Sequence, residues 1–508
     1  MNTTETSASA VTAPHSALNI DPKKVRAAGV AGQFYPANPA ELVAMMDTML
    51  AQAPSAQIAG AILGIIVPHA GYPYSGPVAA RVYAALQGRV YKRVVVIAPS
   101  HYEAFDFTSV FDGDAYQTAL GTILVDRAFA ARLAGRDASI RLSASGHRPT
   151  SHGSEHALEV QLPWLQRILG DFALVPVVMG KQDYQSSRAL GVVLAELLQA
   201  ESADGETPGE TLIVASSDLS HFHNYSEAVQ LDHKTLSAFE SWDYFSMSRN
   251  FHSRVWEACG GAPVVAAMIA SERMGARQAR VLHYANSGDA GGDHSRVVGY
   301  GAGVLVKAHA DKQPQAPFSL TDLEKNVLLA LARNSVEHAL RTNDVLDPEV
   351  PQSAALRQER GAFVTLKIDG ALRGCVGFAS AVKPLFMTVR DTATLAALRD
   401  PRFPPVEESE LSRLQYEISV LSPLRRAMNV SEIEVGRHGL LVKLGDREGL
   451  LLPQVPVEHH WDSMTFLQQT CGKAGLKPDA WRDPGIDIFL FTAVIFGETP
   501  QPKLEQII

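Results

Sequence analysis

Cysteine is scarce in this chain: Cys259, Cys375 and Cys471 are the only three among 508 residues. Their low number and wide spacing exclude a disulfide framework. They fit a reducing compartment, the cytoplasm, where each thiol is free to ligate, react or pack. Apolar stretches of membrane-spanning length are also lacking, because Gly, Pro or a charge interrupts every run, so no span is expected. There is no basic excess either: 45 Lys+Arg against 54 Asp+Glu give a formal charge of -9, which leaves no footprint for DNA or RNA. The first twenty residues contain neither a basic n-region nor a continuous apolar core, so 1–24 reads as a disordered tail rather than a secretory signal.

What the chain does have is apolar substance, 46% hydrophobic with 19% charged, which is ordinary for a globular protein. At roughly 150 residues per domain the length allows two to four units, and the pattern argues for two. Over 25–306, strands at 61–67, 93–98, 173–179 and 211–215 alternate with helices at 39–50, 78–86, 156–169, 190–198, 227–239 and 264–274. Strands at 279–284 and 298–306 close the unit. Apolar runs alternating with helices predict an α/β three-layer sandwich. The Gly/Pro/Tyr-rich segment through Pro77 reads as a loop, and 102–153 as irregular apart from a short strand at 122–125. A polar, proline-bearing linker over 307–319 follows. Thr321 and Glu324 then form a capping-box start for a helix toward Leu340. Beyond it, strands at 361–368, 373–378, 416–421, 440–443 and 488–496, with helices near 384–398 and 465–474, predict a smaller α+β domain over 320–508.

Three apolar runs end in polar groups: Val67-Pro68-His69, Ala98-Pro99-Ser100-His101 and Ser216-Ser217-Asp218-Leu219-Ser220-His221. In an open α/β sheet, ligands bind where loops leave the C-terminal ends of parallel strands. With their two strands read as neighbours, His69 and His101 form a candidate metal pair. A third donor is available in Cys259, within the small-residue turn Ala258-Cys259-Gly260-Gly261, whose thiolate suits iron(II), copper or zinc. Asp218 is the alternative, giving two histidines and a carboxylate. Packing for Cys259 and helix capping for Asp218 are the plainer readings. Asp218 with His221, and Glu155-His156 with Glu159, are pairs able to orient a ligand histidine or move a proton. Twelve of the 17 histidines precede residue 307. In the second domain Arg373-Gly374-Cys375 places a cation beside a thiol, with His438 able to join them; simple burial of Cys375 is the other reading.

Gly32-Gln33-Phe34-Tyr35-Pro36, Pro68-His69-Ala70-Gly71-Tyr72, Pro99-Ser100-His101, Glu155-His156-Ala157-Leu158-Glu159, Ser216-Ser217-Asp218-Leu219-Ser220-His221, Cys259-Gly260 and Tyr284-Ala285-Asn286-Ser287 together resemble the Memo family. Leu372-Arg373-Gly374-Cys375-Val376-Gly377, Asp400-Pro401-Arg402-Phe403-Pro404-Pro405 and Leu452-Pro453-Gln454-Val455 resemble the AMMECR family. The first resemblance implies the fold of the class III extradiol dioxygenases and a metal at His69, His101 and Cys259, with Asp218 and His221 lining the cleft. Sulfur in place of the dioxygenases' carboxylate means that ring cleavage does not follow. Together the two resemblances imply a fusion of proteins A and B of the AmmeMemoRadiSam system, whose third member is a radical S-adenosylmethionine enzyme.

The expectation is therefore a metal-dependent redox protein acting on a small-molecule or protein substrate. Its metal is a divalent transition ion, iron(II) ahead of copper or zinc; His221 moves protons with Asp218 orienting it, and Cys375 is a second catalytic candidate. The alternatives are a non-catalytic metal-binding or partner-docking module and a zinc-dependent hydrolase.

Overall fold

The computed structural model describes residues 21–54, 57–203, 210–291, 293–307, 318–379, 381, 383–427, 429–483 and 485–498. Nearly all of the expected tail and most of the expected linker lie outside the described residues.

The first domain opens with β1 (Val25–Arg26) and α1 (Pro39–Gln52). Asn38 caps α1 by accepting from the Ala40 and Glu41 amides at 2.9 and 3.2 Å, and Pro39 takes the position where a missing N–H costs nothing. β2 (Ala61–Val67), α2 (Tyr72–Ala84) and β3 (Arg93–Pro99) follow. The loop expected through Pro77 is instead the start of α2. Pro73 sits in the first turn, which tolerates it, and Pro77 lies inside the helix behind the small residues Ser75 and Gly76.

The region expected to be irregular holds β4 (Thr108–Phe111), β5 (Ala115–Thr118), β6 (Gly121–Leu124), α3 (Arg127–Ala134) and β7 (Ile140–Ser143). Strands of four residues carry too little periodicity to be read from sequence. The domain continues through α4 (Leu162–Leu169), β8 (Ala173–Met179), α5 (Tyr184–Ala203), β9 (Thr211–Ser216), β10 (His221–His223), α6 (Tyr225–Glu240), α7 (Tyr244–His252), α8 (Gly261–Arg273), β11 (Gln278–Asn286) and β12 (Val297–Lys307).

Nine strands form one mixed sheet in the order β10-β12-β2-β9-β3-β8-β4-β7, with β11 also paired to β12. β2, β9, β3 and β8 run parallel. β9 stands between β2 and β3, which corrects the expectation that the strands before His69 and His101 are neighbours. The crossover inserts the Asp218-bearing strand between them, so three adjacent C-terminal ends face one cleft. Side chains alternate across the strands. Val94, Val96 and Ala98 join a core with α1, α2 and α4, while Val95 and Ile97 join one with α3, α5 and α8.

The second domain contains α9 (Asp322–Thr342), α10 (Ala354–Arg357), β13 (Ala362–Ile368), β14 (Ala371–Phe378), α11 (Leu385–Leu398), β15 (Gln415–Leu421), β16 (Arg425–Arg426), β17 (Gly439–Leu444), β18 (Arg447–Leu451), α12 (Gln454–Glu458), α13 (Ser463–Lys473), β19 (Asp487–Phe491) and β20 (Ala493–Gly497). Thr321 and Glu324 form the expected capping box on α9. The strands make two antiparallel sheets, β14-β13-β15-β20 and β16-β19-β17-β18. The one strand expected at 488–496 is two, because the chain leaves one sheet for the other at Thr492. Phe489, Phe491 and Leu441 share a core with α5, α7 and α8 of the first domain. No helix among the described residues is long and apolar enough to cross a membrane.

Candidate functional site

The cleft at the ends of β2, β9 and β3 is built around the hydroxyl of Ser216, the last residue of β9. Ser216 Oγ donates its one hydrogen to the Ala157 carbonyl at 2.5 Å and accepts from Gln161 Nε2 at 2.9 Å. His69 Nδ1 lies 3.0 Å from the same oxygen, so Nδ1 must carry the proton and donate. Burial and the neighbouring His101 hold the His69 imidazole well below its usual pKa, hence neutral. Its bare Nε2 faces Cys259 Sγ at 3.0 Å.

His101 is fixed by Glu155, whose carboxylate accepts from the His101 amide at 2.5 Å and from Nδ1 at 3.0 Å. Burial pushes the Glu155 carboxyl up, but the His101 ring and amide outweigh it and hold it at about 2. Burial likewise lowers the His101 imidazole, and Glu155 more than reverses this, so its pKa is raised. His156 stacks between Phe34, at 4.5 Å, and His101, at 4.8 Å between ring centroids. Burial and His69 push its pKa down to about 3. Its Nδ1 is buried and has no hydrogen-bond partner among the described residues. Nitrogens of His69, His101 and His156 all lie within 4.8 Å of one another.

Asp218 Oδ1 accepts from the His69 amide at 2.7 Å, which ties the β9 end to the β2 end. Burial raises its carboxyl pKa against the His69 hydrogen bond. The Asp218 amide donates to Cys259 Sγ at 3.3 Å. Burial and the Asp218 charge push the Cys259 thiol up. Gly260 allows this loop to close: a Cβ there would collide with the Ser216 carbonyl oxygen. His221 opens β10, where its Nδ1 donates to the Leu219 carbonyl at 2.9 Å.

The structure thus sets Cys259 and Asp218 against His69 and groups His69 with His101 and His156; Cys259 is not part of that three-nitrogen group. Glu155 takes the orienting part considered for its segment. Glu159 does not: buried Arg26 and the Tyr35 hydroxyl bind its carboxylate instead. Sequence reasoning read His156 as an outer partner only; its place beside Glu155 was the available signal.

In the second domain, Cys375 Sγ accepts from Thr365 Oγ1 at 3.3 Å, and the Cys375 amide donates to Asp400 at 2.8 Å. The nearby cation is Arg402, which donates to the Cys375 carbonyl at 3.0 Å and pairs with Asp400 at 2.7 Å. Arg373, expected in that place, is the unpaired residue of a β-bulge in β14 and pairs with Glu410 at 2.8 Å. His438 donates its amide to Glu434 and accepts the Glu434 amide on Nδ1, ahead of β17 in the other sheet, away from the expected group. Burial raises the Cys375 thiol pKa.

A mixed α/β sheet with polar groups at its parallel strand ends, followed by a second, smaller domain, defines a two-domain protein of a recognisable kind. The chain belongs to the Memo-like protein family over residues 26–304, and an AMMECR1 domain follows at 329–496. It is 33% identical over 286 residues to MEMO1 family protein MK0963 of Methanopyrus kandleri, covering 54% of this chain and 97% of that one. It is 44% identical over 188 residues to protein MK0488 of the same organism, covering 35% and 90%. It is 46% identical over 181 residues to protein TK0174 of Thermococcus kodakarensis, covering 34% and 88%. The solved structure of uncharacterized protein PH0010 from Pyrococcus horikoshii is 41% identical, covers 36% of this chain and 94% of that chain, and superposes with a TM-score of 0.35.

Proposed function

We propose that the chain is a metal-binding redox protein on a dioxygenase-like three-layer scaffold, acting in a reducing cytoplasm. The metal is iron(II), with copper and zinc as the competing ions, held by His69, His101 and Cys259, with His156 as a further donor. The observation that carries this reading is the buried Nδ1 of half-buried His156, which makes no hydrogen bond among the described residues and lies 3.7 Å from Glu155, beside two other imidazoles. A buried ring nitrogen that makes no hydrogen bond is costly, and a neutral imidazole nitrogen is what a transition ion requires. The hydrogen bonds that His69 donates to Ser216 and His101 donates to Glu155 supply the outer support that ligand histidines need. Bound there, the ion would supply Lewis acidity and one-electron chemistry.

The remaining steps belong to the chain's own residues. His221, with Nδ1 held as donor to the Leu219 carbonyl, takes or gives a proton through Nε2. Asp218 fixes the two strand ends and, through its raised pKa, can hold a proton as well. Cys375 beside Arg402 is a second reactive candidate, and a radical S-adenosylmethionine enzyme is the expected partner of the two domains acting together. The substrate is a small molecule or a protein. Elemental analysis of anaerobically purified protein should find about one transition ion per chain, with His69→Ala and Cys259→Ala both depleted. Trace metal in the parent, or unchanged content in both variants, would end this reading.

A further inference from the structure

A cavity of about 20 Å3 lies against the candidate metal site, on the face of the sheet covered by α6, α7 and α8. Ser217 and Leu219, on either side of Asp218, line it together with Ala258, the residue before Cys259; Phe239, Met247 and Phe251 supply much of the remaining wall. Two hydroxyls reach it. Ser217 Oγ is committed, donating to the Asp218 carbonyl at 2.7 Å and accepting from the Gly260 amide at 2.9 Å. Thr235, 3% exposed, has an Oγ1 that is buried and unpartnered among the described residues. A buried water typically makes about three hydrogen bonds, so a single free hydroxyl cannot hold one. The space suits an apolar guest, and it is too small for an organic substrate.

We propose that this cavity is a docking site for dioxygen, placed one residue from Asp218 and Cys259. The assignment to dioxygen, rather than to another small apolar gas, rests on the redox reading of the site. An apolar gas leaves water for such a space for the same reason that any apolar solute does. α7, which contributes Met247 and Phe251 to the wall, also packs its Phe245 on Phe489 of the second domain at 5.3 Å between ring centroids.

The test uses crystals of the full chain under xenon pressure, with and without iron(II). Xenon should occupy the cavity in both, and Leu236→Phe, or Val264→Ile if that variant does not fold, should abolish the peak while leaving metal content unchanged. Stopped-flow mixing of the iron(II)-loaded protein with dioxygen should then show a several-fold slower reaction in the variant. Absence of xenon, or an ordered water in its place, would overturn the cavity's role. Xenon binding with an unchanged dioxygen rate would overturn its service to the metal. Xenon binding in a chain that takes up no transition ion even when iron(II) is supplied would keep an apolar gas site and overturn its assignment to dioxygen along with the redox reading.

Discussion

Ser216 decides which nitrogen of His69 faces the cleft. Its one hydrogen goes to the Ala157 carbonyl, so the imidazole must donate from Nδ1 and present Nε2 as a lone pair. Ser216→Ala removes that constraint without touching a donor. The expected result is a loss of metal affinity of about 10- to 100-fold, read by competition with a chelator; affinity within twofold of the parent would show that the tautomer is set elsewhere. A second prediction concerns Asp400, whose carboxyl is held at about 2 by Arg402, against 3.8 for a free side chain. A depressed pKa stabilises the fold fully above the unfolded value, and that contribution is lost as pH falls from about 3.8 through about 2. Solvent near Arg402 screens the pair, so the contribution is about 1 kcal/mol. Asp400→Asn should flatten stability against pH across that window in acid titrations followed by denaturant; an unaltered slope would contradict it. At this scale the placing of His69, His101 and Asp218 at one sheet edge was legible, because residues after buried apolar runs announce strand ends, whereas Cys259 was read from its small-residue turn. Ser216 and His156 stayed hidden, since their parts come from contacts 59 and 147 residues apart for Ser216, and from ring stacking for His156.

Elements met the same limit. Seven-residue apolar strands such as β2 and β8 were legible, whereas β4, β5 and β7 were not, because four residues fit several periods. The position of β9 between β2 and β3 is a topological fact that no local pattern carries. The bulge in β14 is another: it turns Arg373 toward Glu410 and leaves Arg402 beside the Cys375 backbone. Two expectations follow for the turns that hold the candidate sites. Gly260→Ala should cost about 1–3 kcal/mol and release metal, because its Cβ meets the Ser216 carbonyl where α8 begins. Urea melts and metal analysis read both effects, and a variant as stable and as metal-rich as the parent would refute the close approach. Cys375, a half-buried thiol whose pKa burial raises, should label slowly with a maleimide at neutral pH and rapidly once unfolded, which would remove it from the reactive candidates. Fast labelling in the native state would mark it as reactive.

The two domains are joined by more than a linker, and the sequence showed only that a boundary existed. Asp487, at the start of β19, is 2% exposed and serves both domains: its carboxylate accepts from Arg188 Nε at 2.6 Å and the Tyr184 hydroxyl at 2.8 Å, on α5, and from Arg426 Nε at 3.0 Å within its own sheet. Phe489, two residues on, packs against Tyr244 and Phe245. Charges buried this deeply rarely stabilise more than apolar packing would, but removing one member of such a group is costly, about 3–5 kcal/mol. Asp487→Ala should therefore weaken the contact between domains more than either core. In calorimetry the parent should unfold in one transition, coupled through this shared surface, and the variant should show two, the second domain melting first. A variant that still unfolds in a single transition, lowered in temperature, would mean that the apolar surface of Phe489 and Phe491 couples the domains on its own and that Asp487 only fixes their register.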